Sequence, residues 1–261
     1  MKYLTPPPAW RLPEGVNPSL WQYANTPRLA TEEDEYFEGH PLFRFDSEAL
    51  KTRFIEPGPL VDLGCGAGRH SLQFAGRGFP VAAVDLSAAM LGELARKADA
   101  AGLRLDTVQA NLCRLGCFPD ATFTYSISMF STLGMIRGRE SRRKALAEAH
   151  RILRPGGRLA LHAHNIWLNL KDPQGRFWLM GQGMKWLTGR PGFGDRKMTY
   201  RGIADMEVHL FTWGELVRDI RSAGFRIDEV LPIDAIRAEP IAVPWLGQSV
   251  RAGGWIVFAS R

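Results

Sequence analysis

Apolar and polar positions fall into three successive rhythms along this chain. Residues 1 to about 30 scatter the aromatics Trp10, Trp21 and Tyr23 among prolines, including Pro6-Pro7-Pro8, and predict an extended arm. Residues 31–56 space apolar residues helically among charges, in TEEDEYFEGH and DSEALKTRFIE, and predict one or two amphipathic helices, with Thr31 capping the first. The acids of the first turn suit a helix N-terminus. From residue 59 short apolar runs alternate with helical ones. PLVDLG, FPVAAVDLS, LRLDTVQANL, ATFTYSISMF and GRLALHAHN read as five strands. RHSLQFAGRG, SAAMLGELARKADAAG and ESRRKALAEAHRIL read as helices between them. Ser87 is placed as the N-cap of the second helix and Gly102 just past its end, while Pro155 and Gly156 stop the third. Strands alternating with helices predict a doubly wound, parallel α/β sheet.

Residues 166–211 break this rhythm with Gly, Trp, Met and basic residues, and a structureless loop of that length would be unusual. They predict an inserted lid after strand five. The rhythm resumes at TWGELVRDIRSAGF, where Thr212 and Glu215 have capping-box spacing and Gly224 is a stop. FRIDEVLPI and the terminal GWIVFASR are strands six and seven. No helix separates them, so they can pair antiparallel. The expected fold is thus a seven-stranded sheet, mostly parallel, with an antiparallel last strand. Residues 1–56 form an N-terminal arm and covering helices, and residues 57–261 form the main domain.

Composition narrows the class. The chain has 261 residues, 45% of them hydrophobic, enough for one full core or a core with a cap. The formal charge of +6 is moderately basic, which is ordinary for a solvated surface and leaves a nucleic-acid partner open. Cys65, Cys113 and Cys117 are odd in number and lack zinc-ligand spacing, which fits a reduced, cytoplasmic protein. MKYLTPPPAWRLPEG lacks the apolar core of a signal peptide, and no apolar run approaches the ~20 residues that span a bilayer.

The chemistry concentrates in VDLGCGAGRH, residues 61–70, at the carboxyl end of the first strand, where open α/β sheets bind ligands. Glycines there admit positive φ and a close ligand. A phosphate-binding P-loop requires a Lys that is absent, because the loop closes Gly68-Arg69-His70. A dinucleotide loop requires GxGxxG, whereas Gly64, Gly66 and Gly68 give GxGxG. The third reading uses Asp62 before the loop and Asp85 ending the next strand, placed to accept from both ribose hydroxyls of a nucleoside. Helix capping is the structural alternative for Asp85.

VDLGCGAGRH followed by VDLS resembles the first two motifs of class I S-adenosylmethionine-dependent methyltransferases of the small-molecule type. RILRPGGRLAL resembles that family's turn before strand five, and HLFTWGELVRDIRSAGFRIDEV its late helix and strand six, so the resemblance covers roughly 59–261. It implies S-adenosylmethionine as cofactor. Asp62 would fix the methionine part. Gly64, Cys65, Gly66 and Gly68 would form the backbone bed, with Cys65 a small spacer rather than a nucleophile. Asp85 would bind the ribose, Leu86 and Met90 would pack on the adenine, and Asn111 and Leu112 would read its edge; Met129 completes the cofactor set. Two positions depart from the family pattern: Asn111 stands where Asp is common, and Thr124 where Asp often opens strand four.

The methyl acceptor is expected beyond strands four and five. Phe130, Ser131 and Thr132 line its side, and Ser131 could instead cap a helix. His162 and His164 share one face of strand five. His164 and Asn165 lie at its carboxyl end, where His164 could serve as general base or shape the pocket. His162, deeper in the strand, reads as structural. A metal site on these histidines would need His209 as third ligand, and none is expected. Trp21, Tyr23 and Tyr36 could close over the cofactor or anchor the arm. Trp167, Phe177, Trp178, Met180, Met184 and Trp186 suit a lid over an apolar or flat substrate, or the lid's own core. The expected function is methyl transfer to an O, N or C atom of a small molecule. One alternative is an RNA methyltransferase of the tRNA wobble-uridine type, supported by Arg137, Arg139, Arg142, Arg143, Arg190, Arg196 and Lys197. Another is a non-catalytic cofactor-binding protein on the same fold, and a nucleotide-dependent oxidoreductase is the residual reading.

Overall fold

The computed structural model describes residues 4–188, 192–234, 239–241 and 247–261. Its strands are β1 (Leu60–Leu63), β2 (Val81–Asp85), β3 (Asp106–Gln109), β4 (Phe123–Ser128), β5 (Leu153–His164), β6 (Asp195–Tyr200), β7 (Ile203–His209), β8 (Arg226–Ile233) and β9 (Gly254–Ser260). Seven form one sheet in the order β3-β2-β1-β4-β5-β9-β8, and β6 pairs with β7 as a separate hairpin. The pairings β1–β2, β1–β4, β2–β3 and β4–β5 are parallel, while β9 runs antiparallel to both neighbours. This is the expected doubly wound sheet with an antiparallel last strand. Strand order reverses between β1 and β4, which opens a crevice above their carboxyl ends.

Eleven helices flank the strands among the described residues: α1 (Pro18–Ala24), α2 (Pro27–Thr31), α3 (Glu33–Tyr36), α4 (Pro41–Lys51), α5 (Arg69–Ala75), α6 (Ala88–Ala100), α7 (Thr132–Met135), α8 (Arg139–Ile152), α9 (Pro173–Leu187), α10 (Trp213–Ser222) and α11 (Gln248–Arg251). The core is double, as a sheet covered on both faces requires. On one face Val61, Leu63, Leu161 and Trp255 pack with Leu146 and Ile152 of α8 and Ile220 of α10. On the other, Leu60, Ile127, Ile256 and Phe258 pack with Leu50 of α4, Phe54 and Phe74 of α5. Ser87 caps α6, its side chain accepting from Met90 N, and Thr212 caps α10 by accepting from Glu215 N.

Three local expectations are corrected. The arm is helical rather than extended over α1 and α2, because Asn17 accepts from Leu20 N and Pro18 occupies the first helical turn, where a missing N–H costs nothing. Thr31 ends α2 instead of capping a helix, and its hydroxyl donates back to Arg28 O. Helix α8 ends at Ile152, ahead of the expected stop, and β5 runs extended through Pro155; the residue before a proline resists the helical region. The described residues of 166–211 are folded: a 3₁₀ turn over Ile166–Lys171, then α9, then the β6–β7 hairpin.

Arm and hairpin both close onto the carboxyl edge of the sheet. Ser87 Oγ donates to Ala24 O, Asn111 Nδ2 to Glu14 O, and Arg137 N to Gly15 O. Strand β7 packs against α1 and α7.

Candidate active site

The crevice at the β1/β4 switch holds a cavity of ≈ 560 Å³, within the usual range for small ligands. Its floor is the loop after β1. Gly64 and Gly66 have φ of 79° and 55°, a region that side chains resist. A Cβ at Gly64 would strike Thr132, and one at Gly66 would meet the Glu33 carboxylate at 2.5 Å. Close approach on both sides is therefore built into the loop. Asp85 orders it from β2: one carboxylate oxygen accepts from Gly66 N at 2.9 Å, the other from Ser87 N at 2.8 Å. Asp62, 2% exposed, accepts from Ser71 Oγ at 2.7 Å. Burial raises the pKa of both carboxyls. Neither forms an ion pair with Lys or Arg among the described residues. Cys65 is buried, and burial together with nearby acids pushes its thiol well up, which suits a spacer and not a thiolate nucleophile.

Beyond β2 and β3 the cavity is lined by Leu86, Met90, Asn111 and Leu112, with Met129 on the β4 side. The Asn111 amide is already engaged: its oxygen accepts from Cys113 N and its NH2 donates to Glu14 O. It fastens the arm and still has one N–H and one lone pair left to meet a ligand edge. Gly68 does not line the cavity. At φ 89° it precedes α5 and gives room to Leu94.

Beyond β4 and β5 stand Phe130, Ser131, Thr132 and His164. Phe130 and Ser131 are consecutive non-glycine residues at positive φ, 51° and 60°, a strained turn that aims both side chains inward. Ser131 is buried and gives no side-chain cap to α7; its hydroxyl has no partner among the described residues. His164 is enclosed by the cavity, and burial first, then His40, lowers its pKa to about 4, so the ring is neutral at physiological pH. His162 packs beneath it, ring centroids 4.8 Å apart, fully buried. Asn165 is not part of the site. Its amide donates to Ser249 O and Ala252 O, and its oxygen accepts from Trp167 N, tying the end of β5 to the chain before β9. The reason is position: one residue past the strand the side chain turns away from the crevice and satisfies buried backbone. Tyr23 lines the cavity and packs on Tyr200, whereas Trp21 and Tyr36 do not line it.

Sequence reasoning missed four contributors. Glu33, read as a helix-dipole acid, accepts from Ala67 N at 3.0 Å and faces Arg201 at 3.6 Å. Arg201, at the hairpin turn with φ 49°, has a buried side chain and lies over the Tyr36 ring. A single carboxylate thus joins the arm, the glycine loop and the hairpin. His40 and Phe43, from the second covering segment, line the cavity near Phe130. Only the helical pattern of residues 31–56 hinted that this segment covers the site.

The basic residues behind the RNA reading are largely committed elsewhere. Arg139 and Arg143 pair with Asp219 at 2.9 and 3.8 Å, and Arg142 is buried beside Glu215. Arg137 reaches Glu207 at 3.9 Å, and Arg196 donates to Asn169. Arg190 and the side chain of Trp186 lie outside the described residues. His209 bonds Asp195 and Glu215, away from His162 and His164, and no group of His, Cys, Asp or Glu among the described residues is arranged to hold a metal ion. No described helix is long and apolar enough to cross a membrane.

Comparison with known proteins agrees with this geometry. A family described as Methyltransferase domain matches residues 60–157. The chain is 35% identical over 107 residues to a demethylmenaquinone methyltransferase of Thermus thermophilus, covering 40% of this chain and 46% of that protein, so it spans about half the length of that curated relative. A solved S-adenosylmethionine-dependent methyltransferase of Methanosarcina mazei superposes with a TM-score of 0.63 at 21% identity, covering 82% of this chain and 96% of that one. The 1,6-didemethyltoxoflavin-N1-methyltransferase of Burkholderia thailandensis, solved with its substrate and S-adenosylhomocysteine, superposes with a TM-score of 0.60 at 19% identity, covering 90% of this chain and 84% of that one. The matched methyltransferase domain holds the motif region, and the seven-stranded sheet around it has the fold of these solved S-adenosylmethionine-dependent methyltransferases.

Proposed function

We propose that the protein transfers a methyl group from S-adenosylmethionine to a small-molecule acceptor. The observation that carries this reading is the pair of carboxylates, Asp62 and Asp85, that flank the glycine bed and form no ion pair with Lys or Arg among the described residues. Such a site suits a ligand bearing hydroxyl donors and positive charge, and its carboxylates repel a phosphate. Asp85 would take the ribose hydroxyls, exchanging or sharing its bonds to Gly66 N and Ser87 N. Asp62 would face the ammonium end, and Leu86, Met90 and Leu112 would pack on the base. When bound, the cofactor supplies a sulfonium methyl group, an electrophile that needs no further activation.

The chain's remaining task is orientation and proton removal. The strained Phe130–Ser131 turn and the hairpin enclose the acceptor, and His164 stands ready as a neutral imidazole. Its low pKa makes it a weak base. It is sufficient because the acceptor proton becomes strongly acidic as the new bond to carbon forms. The commitment of most of the basic residues to ion pairs favours a small acceptor over RNA, as do the small-molecule names of the demethylmenaquinone and didemethyltoxoflavin relatives.

Calorimetry tests the reading. S-adenosylmethionine should bind the wild type, and Asp85→Ala should weaken it by at least roughly a hundredfold, the loss of two hydrogen bonds to a charged group. No heat of binding to the wild type would overturn it.

A further inference from the structure

The cavity's far wall is a cluster of rings. Phe37, Phe43 and Phe130 pack mutually with centroids 4.9, 5.1 and 5.2 Å apart. Two imidazoles stand nearly perpendicular to Phe130, His40 at 5.4 Å and His164 at 6.3 Å. They differ in what they offer. His40 Nδ1 accepts from Leu42 N, so a neutral ring carries its proton on Nε2 and can only donate there. The ring of His164 makes no hydrogen bond to the described protein, and a nitrogen is free to accept. Burial lowers the pKa of both, so both are neutral at physiological pH. Cations lining the cavity are neutralised or turned aside. Arg69 holds Asp46 by two bonds of 2.6 and 2.7 Å, and Arg196 lies over Trp178. Beside them the buried Ser131 hydroxyl has no partner among the described residues.

We propose that this wall selects an uncharged, planar aromatic acceptor bearing a hydroxyl next to a second oxygen: His164 accepts from the hydroxyl, and His40 donates to the neighbouring oxygen. This rests on the methyltransferase reading. Flat rings gain edge-to-face contact with Phe130 and Phe37. A charged acceptor would be desolvated among neutral groups with no free counter-charge at the wall. His40 is half-buried, so a bound ring lacking the second oxygen would cover its N–H without pairing it, and that penalty on binding is the source of selectivity. In the reaction the hydroxyl oxygen gains the methyl group, its proton passes to His164, and the electron pair of the broken carbon–sulfur bond stays on sulfur.

Calorimetry on protein saturated with S-adenosylhomocysteine tests this with four probes built on one naphthalene ring: 2,3-dihydroxynaphthalene, 2-naphthol, 2,3-dimethoxynaphthalene and the cationic 2-naphthylmethylamine. The dihydroxy compound should bind about tenfold more tightly than 2-naphthol, and more tightly still than the other two. His40→Phe keeps an aromatic wall and should erase the preference of the dihydroxy compound over 2-naphthol. His164→Phe should weaken both hydroxylated probes about equally. S-adenosylhomocysteine affinity, unchanged in each variant, reports an intact fold. Equal binding of all four probes, tighter binding of the amine, or an unaltered preference in His40→Phe would overturn the proposal while leaving the cofactor reading intact. Failure of S-adenosylhomocysteine itself to bind would overturn both.

Discussion

Gly66 shows how much of this site is backbone. Its positive φ, the Glu33 carboxylate at its missing side chain and the Asp85 bond to its N–H all meet at one residue. Gly66→Ala should therefore cost about 1–3 kcal/mol of stability from the left-handed conformation, on top of displacing Glu33. Thermal melts would show it, and an unchanged melt would refute the strained bed. His164 gives a pH prediction with a defined sign. Its pKa is lowered from 6.5 to about 4. The neutral ring stabilises the fold fully above pH 6.5, and that contribution is lost as pH falls through 6.5 toward 4, where the unfolded chain binds the proton first. Proton acceptance should likewise hold on the alkaline side and fail as pH falls through about 4. A single-turnover pH profile with an apparent pKa near 7, shared by His164→Gln, would exclude this histidine as the proton acceptor. At this scale the sequence showed the loop well, because VDLGCGAGRH and Asp85 are adjacent to strand ends that patterning locates. It placed Asn111 on the cavity lining but missed its bond to the arm, and it misplaced Asn165, since the backbone groups that engage an amide are distant in sequence.

Among elements, the β6–β7 hairpin is the part that periodicity left unread. It brings Met198, Tyr200, Met206 and Val208 to the cavity, yet its anchor lies on its far end. There His209 bonds Asp195 at 2.7 Å and Glu215 of α10 at 3.0 Å, both carboxylates holding the imidazole in its charged form. Arg142 of α8 lies 3.7 Å from Glu215, extending the network to the body of the domain. Bonds to those carboxylates raise the pKa of His209 against its burial. The stabilisation is thus fully present below the unfolded value of 6.5 and is lost as pH rises through the elevated folded value. His209→Ala leaves two carboxylates facing each other and should destabilise by about 3–5 kcal/mol. Hydrogen exchange should speed first across 195–209, and uniform protection in the variant would contradict the clasp. Sequence placed the seven sheet strands and their antiparallel close because most are short apolar runs between turn signals, and polar β3 sits at the sheet edge between helix and turn. The arm helices escaped it because Pro18 and Pro27 read as breakers, when they begin helices.

For the molecule as a whole, the sheet's reversal at β1/β4 creates the crevice, and two segments far apart in sequence roof it. They meet at Glu33 and Arg201 above the loop. Opening that contact is the simplest way for a cofactor to exchange. Arg201→Met should therefore speed S-adenosylhomocysteine release in stopped-flow fluorescence several-fold, and an unaltered rate would show that the roof does not gate the site. The net charge of +6 says little about this interior, whose loop is ringed by acids. The most direct measurement of the central claim is a crystal structure grown with S-adenosylhomocysteine. The account predicts density along Gly64–Gly66, ribose hydroxyls within hydrogen-bond distance of Asp85, and the sulfur directed toward Phe130 and His164. Density elsewhere on the molecule, or a crevice holding only solvent at saturating ligand, would contradict it.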